Sequence, residues 1–311
     1  MRAFVTDFAF ACAAFAWLSG CASRDRRAVV TAAQADRSNC ERDLRFVFVP
    51  AGPFVFGSTH DERDAAYRMA AETSGHTPDE TTRAEVVLRQ RRFFDFEPDR
   101  VTTSLGAYCI ARHPVRQREY AEFVHATGHA APTMDEATWL AQGFLVHRFD
   151  EVRGYLWNDD APPHGTDDWP VVLVSIDDAN AFARWRSERD HRVYDLPTRE
   201  EWERASRGAD GRLYPWGDDW RTDAIRWNGD GVGHPAAVGS FPLARGPSGA
   251  DDMLGNVFEW TSTRDATRNA IKGCAFDDVA GFCRSAYEHR RASTSRHILV
   301  GFRLVWRGET R

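Results

Sequence analysis

Lysine is almost missing from this chain. Of its 40 basic side chains only one, Lys272, is a lysine, and no long run of arginines gathers the rest. With a formal charge of -6, the sequence has no electrostatic footprint for a phosphate backbone, which excludes a nucleic-acid-binding protein. Internal repeats and low-complexity segments are also missing, so solenoids and arrays are excluded. Helix-type periodicity is only moderate. What is present is 42% apolar residues, 11 Trp and 23 Gly, enough for a packed core in which large rings anchor irregular backbone. The composition points to a loop-rich globular chain.

The one long apolar run follows Arg2 and extends over residues 8–18, which is shorter than the roughly 20 residues of a membrane-spanning helix and fits a signal-peptide core. It ends in Leu18-Ser19-Gly20-Cys21, which resembles a bacterial lipoprotein signal. The expected organisation is a signal peptide at 1–20, a lipidated tether at 21–42 with Cys21 acylated, and a domain at 43–308. Asp7 interrupts the leader and leaves an ordinary secretory signal or an uncleaved anchor open. The expected location is the bacterial cell envelope, with the membrane reached through the lipid, on the periplasmic side or the surface. Export makes Cys40, Cys109, Cys274 and Cys283 candidates for disulfides. Four cysteines allow three connectivities; proximity in sequence favours Cys40 with Cys109 and Cys274 with Cys283.

Within the domain, Phe46-Val47-Phe48-Val49 and the glycine-bounded run at 52–58 read as an opening hairpin. Residues 60–92 read as a charged surface insertion of two short helices broken at Gly75-His76-Thr77-Pro78. A strand is expected over 101–110. Tyr120, Phe123 and Val124 mark an amphipathic helix ended by Gly128. Residues 134–169 read as surface loops with some short strands. Ser175 caps a second helix with Ala179, Phe182, Ala183 and Trp185 inward. Thr198 and Glu201 form a capping box for a third, which turns Trp202 and Ala205 inward and stops at Gly208.

Read in order, PAGPFVFGS, REYAEFVHATGH, WPVVLVSIDDANAFARW, YDLPTREEWERASRG with YPWGDD, GSFP, DMLGNVFEWTS, and a final Lys272-Gly273 with GFRLV resemble the formylglycine-generating enzyme, or sulfatase-modifying factor, family. The matching segments span about 46–306. The resemblance implies a compact, loop-rich α+β fold of the C-type-lectin-like kind. It also implies an oxidase that converts a cysteine of a substrate protein to formylglycine, with oxygen and a copper(I) ion held by two thiolates. Soft thiolates are the ligands that select copper(I).

Counted from Lys272, the family pattern puts the second cysteine on Cys283 and the first on Asp278. Ala275 stands in place of the usual serine and Phe282 in place of a tyrosine. The implied copper site is therefore degenerate: Cys283 remains as the copper- or substrate-engaging thiolate, with Asp278 a poor second ligand. Asp277, Asp278, Cys283 and His289 could instead form a mixed zinc or iron site, against the plainer reading of a solvated acidic turn. Iron-dependent sulfoxide synthases related to the family take histidines from an added helical domain, for which residues 22–42 are too short. Asn256, Glu259 and Asn228 match the family's calcium-binding turns; the competing assignment has Asn256 bonding its own turn and Glu259 paired with an arginine. Arg284, Arg290, Arg291, Arg296 and Arg303 could line a groove for a peptide carboxylate or an anionic glycan. Of these, Arg303 is expected to satisfy carbonyls in the core. The rival to an oxidase is a non-catalytic protein- or glycan-binding lipoprotein on the same scaffold.

Overall fold

The computed structural model describes residues 35–143 and 146–310. The leader, Cys21 and the tether as far as residue 34 lie outside them. The end of the tether is not loose chain. Asp36 caps α1 (Arg37–Glu41) by accepting from the Asn39 N–H, and Cys40 is buried and disulfide-bonded to Cys109. The expected domain start at residue 43 is corrected accordingly: the covalent bond to the core pulls α1 into the packed body.

Two strands follow, β1 (Phe46–Val49) and β2 (Gly52–Phe56), then helices α2 (His60–Ser74) and α3 (Pro78–Gln90), then β3 (Val101–Leu105) and β4 (Tyr108–Ala111). The expected hairpin does not form. β1 pairs antiparallel with β4, whereas β2 pairs antiparallel with β3. Pro50 supplies no N–H, and Gly52 at φ +140° swings the chain into a different sheet. The strand expected over 101–110 divides for the same reason, one half joining each partner.

Next come α4 (Gln117–Thr127), α5 (Glu136–Ala141), α6 (Phe149–Val152), α7 (Ile176–Asp190), β5 (Arg192–Asp195) and α8 (Arg199–Arg207). Strands β6 (Phe258–Asp265), β7 (Arg268–Lys272), β8 (Glu288–Ala292), β9 (Val300–Gly301) and β10 (Val305–Thr310) complete the chain. One sheet has the order β1-β4-β10-β5 and another β8-β7-β6-β9, in which β6 and β9 run parallel. The caps read from the sequence are in place: Ser175 accepts from Asp178 N–H, Thr198 from Glu201 N–H, and Gly128 ends α4 at φ 69°.

Between these layers Tyr120, Phe123, Phe182 and Phe302 meet edge-to-face or stacked, with centroids 5.2–6.3 Å apart. Trp260 is fully buried and donates to the Val174 carbonyl at 2.9 Å, so even the largest ring has its polar atom satisfied. Among the described residues no helix is long and apolar enough to cross a membrane.

Candidate functional site

The connection from β7 to β8 carries most of the residues singled out above. It leaves the sheet at Gly273, whose φ of +88° and closeness to Trp202, 3.3 Å from where a Cβ would stand, favour glycine there. Cys274 and Cys283 follow, both fully buried and joined in a disulfide with their Cα atoms 5.0 Å apart. Cys283 therefore presents no thiolate in this state. Between the two cysteines, Asp278 turns inward and accepts the Ala275 N–H at 2.7 Å. Burial, then the neighbouring Asp277 charge, raises its pKa well above the usual carboxylate range. A disulfide and a carboxyl turned inward onto its own turn do not fit a copper(I) thiolate site, and no step can be routed through that metal with these residues as they stand.

The turn is not solvated in the way a loose acidic turn would be. His147, from the chain between α5 and α6, lies 2.8 Å from Asp277 through Nε2 and 3.2 Å from Glu151 through Nδ1. The hydrogen bond to Asp277 is the first cause of a raised His147 pKa, opposed by burial. His297 stacks obliquely on His147 and Trp139, with ring centroids at 5.6 and 5.1 Å. Burial and then the Arg291 charge push His289 down to about 3, and the same causes hold His297 neutral. Neither His147 nor His297 was singled out in the sequence. Each is an isolated histidine in an irregular stretch, and only the fold brings it to Asp277. The mixed zinc or iron site is corrected as well: no group of three or more His, Cys, Asp or Glu is arranged to hold a metal among the described residues.

The helical insertion is part of this region, not just a solvated appendage. α2 buries Ala66, Tyr67, Ala70 and Ala71. A Cβ on Gly281 would come 2.3 Å from the Ala66 carbonyl and 2.7 Å from the Ala70 Cβ. Thr73 accepts the Ala280 N–H at 3.2 Å, and Phe282 packs at a tilt against Phe94 and edge-to-face against Tyr287, at 5.0 and 5.1 Å. The disulfide loop is thus clamped by α2 on one side and by rings on the other.

The calcium ligands expected from the sequence are otherwise engaged. Glu259 is fully buried; one oxygen accepts from Trp202 Nε1 at 2.9 Å and from Arg303 Nε at 2.6 Å, the other from an Arg303 Nη at 2.6 Å. Asn256 accepts the Ala236 N–H and donates to its carbonyl. Asn228 is exposed, and its N–H donates to the Asp278 carbonyl at 3.1 Å. Glu259 is paired with an arginine, as the competing assignment has it, and that guanidinium supplies a cation to the carboxylate, whereas Asn256 bonds Ala236, not its own turn. Arg303 also donates to the carbonyls of Ala111, Asp251 and Asp252.

A fold and site of this kind define a scaffold that holds an irregular, disulfide-closed loop against a sheet. The Sulfatase-modifying factor enzyme 1-like domain matches residues 31–308, and the chain belongs to that family. It is 33% identical over 215 residues to the formylglycine-generating enzyme of Mycobacterium tuberculosis, covering 55% of this chain and 69% of that protein. It is 27% identical over 302 residues to the hercynine oxygenase of Mycolicibacterium smegmatis, covering 84% of this chain but only 60% of that protein. Among solved structures, PvdO from Pseudomonas aeruginosa superposes with a TM-score of 0.61 at 20% identity, over 84% of this chain and 94% of that one. This last likeness concerns the fold alone.

Proposed function

We propose that this chain is an exported, lipid-anchored member of the family that does not oxidise substrate cysteines and instead binds a protein or peptide at the bacterial cell envelope. One observation carries the reading: the cysteine left at a copper-ligand position is held in the Cys274–Cys283 disulfide. The inward bond from Asp278 to Ala275 N–H supports it, since the residue at the other ligand position is spent on its own turn. The oxidising setting that the leader implies keeps such a bond closed. The test is incubation of the mature protein with copper(I), oxygen and a cysteine-containing sulfatase peptide, before and after reduction of the disulfide. Trapping of the product with a hydroxylamine reagent and mass spectrometry gives the readout. No aldehyde is expected in either state. Aldehyde formation that Cys283→Ser abolishes would establish the oxidase in place of this reading.

A further inference from the structure

Five arginines of the segment from 284 to 303 are candidates to hold an anionic ligand, and four of them are already committed. Arg284 pairs with Glu97, Arg290 with Glu288 and Asp265, Arg296 with Asp178, and Arg303 with Glu259. Arg291 is half-buried on β8 and makes no side-chain hydrogen bond or ion pair among the described residues. Its Nε is sealed from solvent with no acceptor. The nearby charges of Asp278 and Asp277 offset only part of the cost of burying this guanidinium, and bidentate carboxylates are its natural partners.

Two further unsatisfied atoms belong to His297 and Asp277, which both touch His147 and lie within electrostatic reach of Arg291. His297, 1% exposed, accepts the Leu299 N–H on Nδ1, which puts the ring proton on Nε2, and that Nε2 is buried without an acceptor. Asp277 spends Oδ2 on His147, while its Oδ1 is buried without a donor. Two donors lacking an acceptor and one acceptor lacking a donor are complementary to a carboxylate with an N–H beside it. Asp277 also limits the charge that can be accommodated. One free guanidinium beside a carboxylate suits a single negative charge, not a sulfated glycan, which requires several cations.

We propose that Arg291, assisted by His297, is the anchor for an α-amido carboxylate, the group found at a peptide C terminus and in N-acylated amino acids, with Asp277 receiving its N–H. The proposal rests on the binding function argued above and names the chemistry of the ligand. It fails separately from that reading, because aldehyde formation and carboxylate binding are different measurements.

The experiment is calorimetric titration of the mature protein with acetyl-Ala-Ala-Ala, its C-terminal amide, N-acetylalanine and a heparin tetrasaccharide. The free acid is expected to bind at least tenfold more tightly than the amide, and Arg291→Gln to lose at least tenfold for the acid alone. Arg291→Lys, which keeps the charge but not the planar fork, is expected to fall between the two. Comparable affinity for N-acetylalanine assigns a small acid, and a clear preference for the tripeptide assigns a chain terminus; either supports the anchor. Equal binding of acid and amide, binding of heparin alone, unchanged binding by a folded Arg291→Gln, or no binding at all would overturn it. Thermal melting checks the fold of the variant, which is expected to melt close to the parent because Arg291 gives up no side-chain hydrogen bond.

Discussion

Glu259 and Arg303 face each other in the fully buried centre of the molecule, with both carboxylate oxygens 2.6 Å from guanidinium nitrogens. Removing one member of such a pair leaves the other charge unanswered, at a cost of about 3–5 kcal/mol. Glu259→Gln is expected to lose stability on that scale in urea denaturation. Because the arginine occupies the cation's place, excess chelator is expected to leave the urea midpoint of the parent unchanged. A clear fall on adding EGTA would restore calcium to this site.

The two disulfides close loops of very different length, with sequence separations of 69 and 9. On chain-entropy grounds the Cys40–Cys109 bond contributes about 4 kcal/mol and the Cys274–Cys283 bond about 3. Paired Cys→Ser replacements are expected to rank in that order in denaturant titrations. The first pair should also free the segment around α1 to limited proteolysis, since Cys40 is what fastens it to β4.

Asp252 is nearly fully buried with one oxygen accepting the Gly239 N–H and the other without a donor. Burial raises its pKa from 3.8 to about 6. The folded state thus binds this proton more tightly than the unfolded chain does. Its contribution is favourable below about pH 4 and is lost as the pH rises towards about 6. Asp252→Asn is expected to stabilise the protein at pH 7 by about 1–3 kcal/mol and to leave it little changed at pH 4. Urea midpoints at the two pH values give the comparison, and an equal effect at both would rule out a titration origin. The left-handed backbone at Asp252, φ +52°, suits asparagine as well as aspartate.

Gly281 lies where α2 touches the disulfide loop. A methyl group there meets the backbone carbonyl of Ala66, which cannot rotate away. Gly281→Ala is expected to cost about 1–3 kcal/mol by overpacking. Protease cutting within 60–92 should accelerate as α2 lifts, whereas unchanged cutting would show that the helix and loop are not coupled.

What could be read from the sequence was what is local. Thr198 with Glu201 and Ser175 with Asp178 specify helix starts within four residues, so the caps stand where they were expected. Strand pairing is not local. β1 and β2 have the same apolar pattern, and nothing in either reveals that one joins Tyr108–Ala111 and the other Val101–Leu105. The site divides in the same way. Asp277 and Asp278 lie in the marked loop and His289 on the strand that follows it, but His147 reaches Asp277 across 130 positions. The partner of Glu259, Arg303, is 44 residues away and on another strand connection.

The sole lysine of the sequence, Lys272, is fully buried, with its ammonium 2.9 Å from Glu203 and 2.9 Å from the Ala286 carbonyl. The folded surface consequently offers no side-chain amine. Succinimidyl dyes, aldehyde fixatives and amine crosslinkers have no lysine to react with until the centre of the molecule opens. When it does, one amine appears, at a position between α8 and the disulfide loop. Labelling at Lys272 is therefore a single-site clock for opening of the core, readable by mass spectrometry.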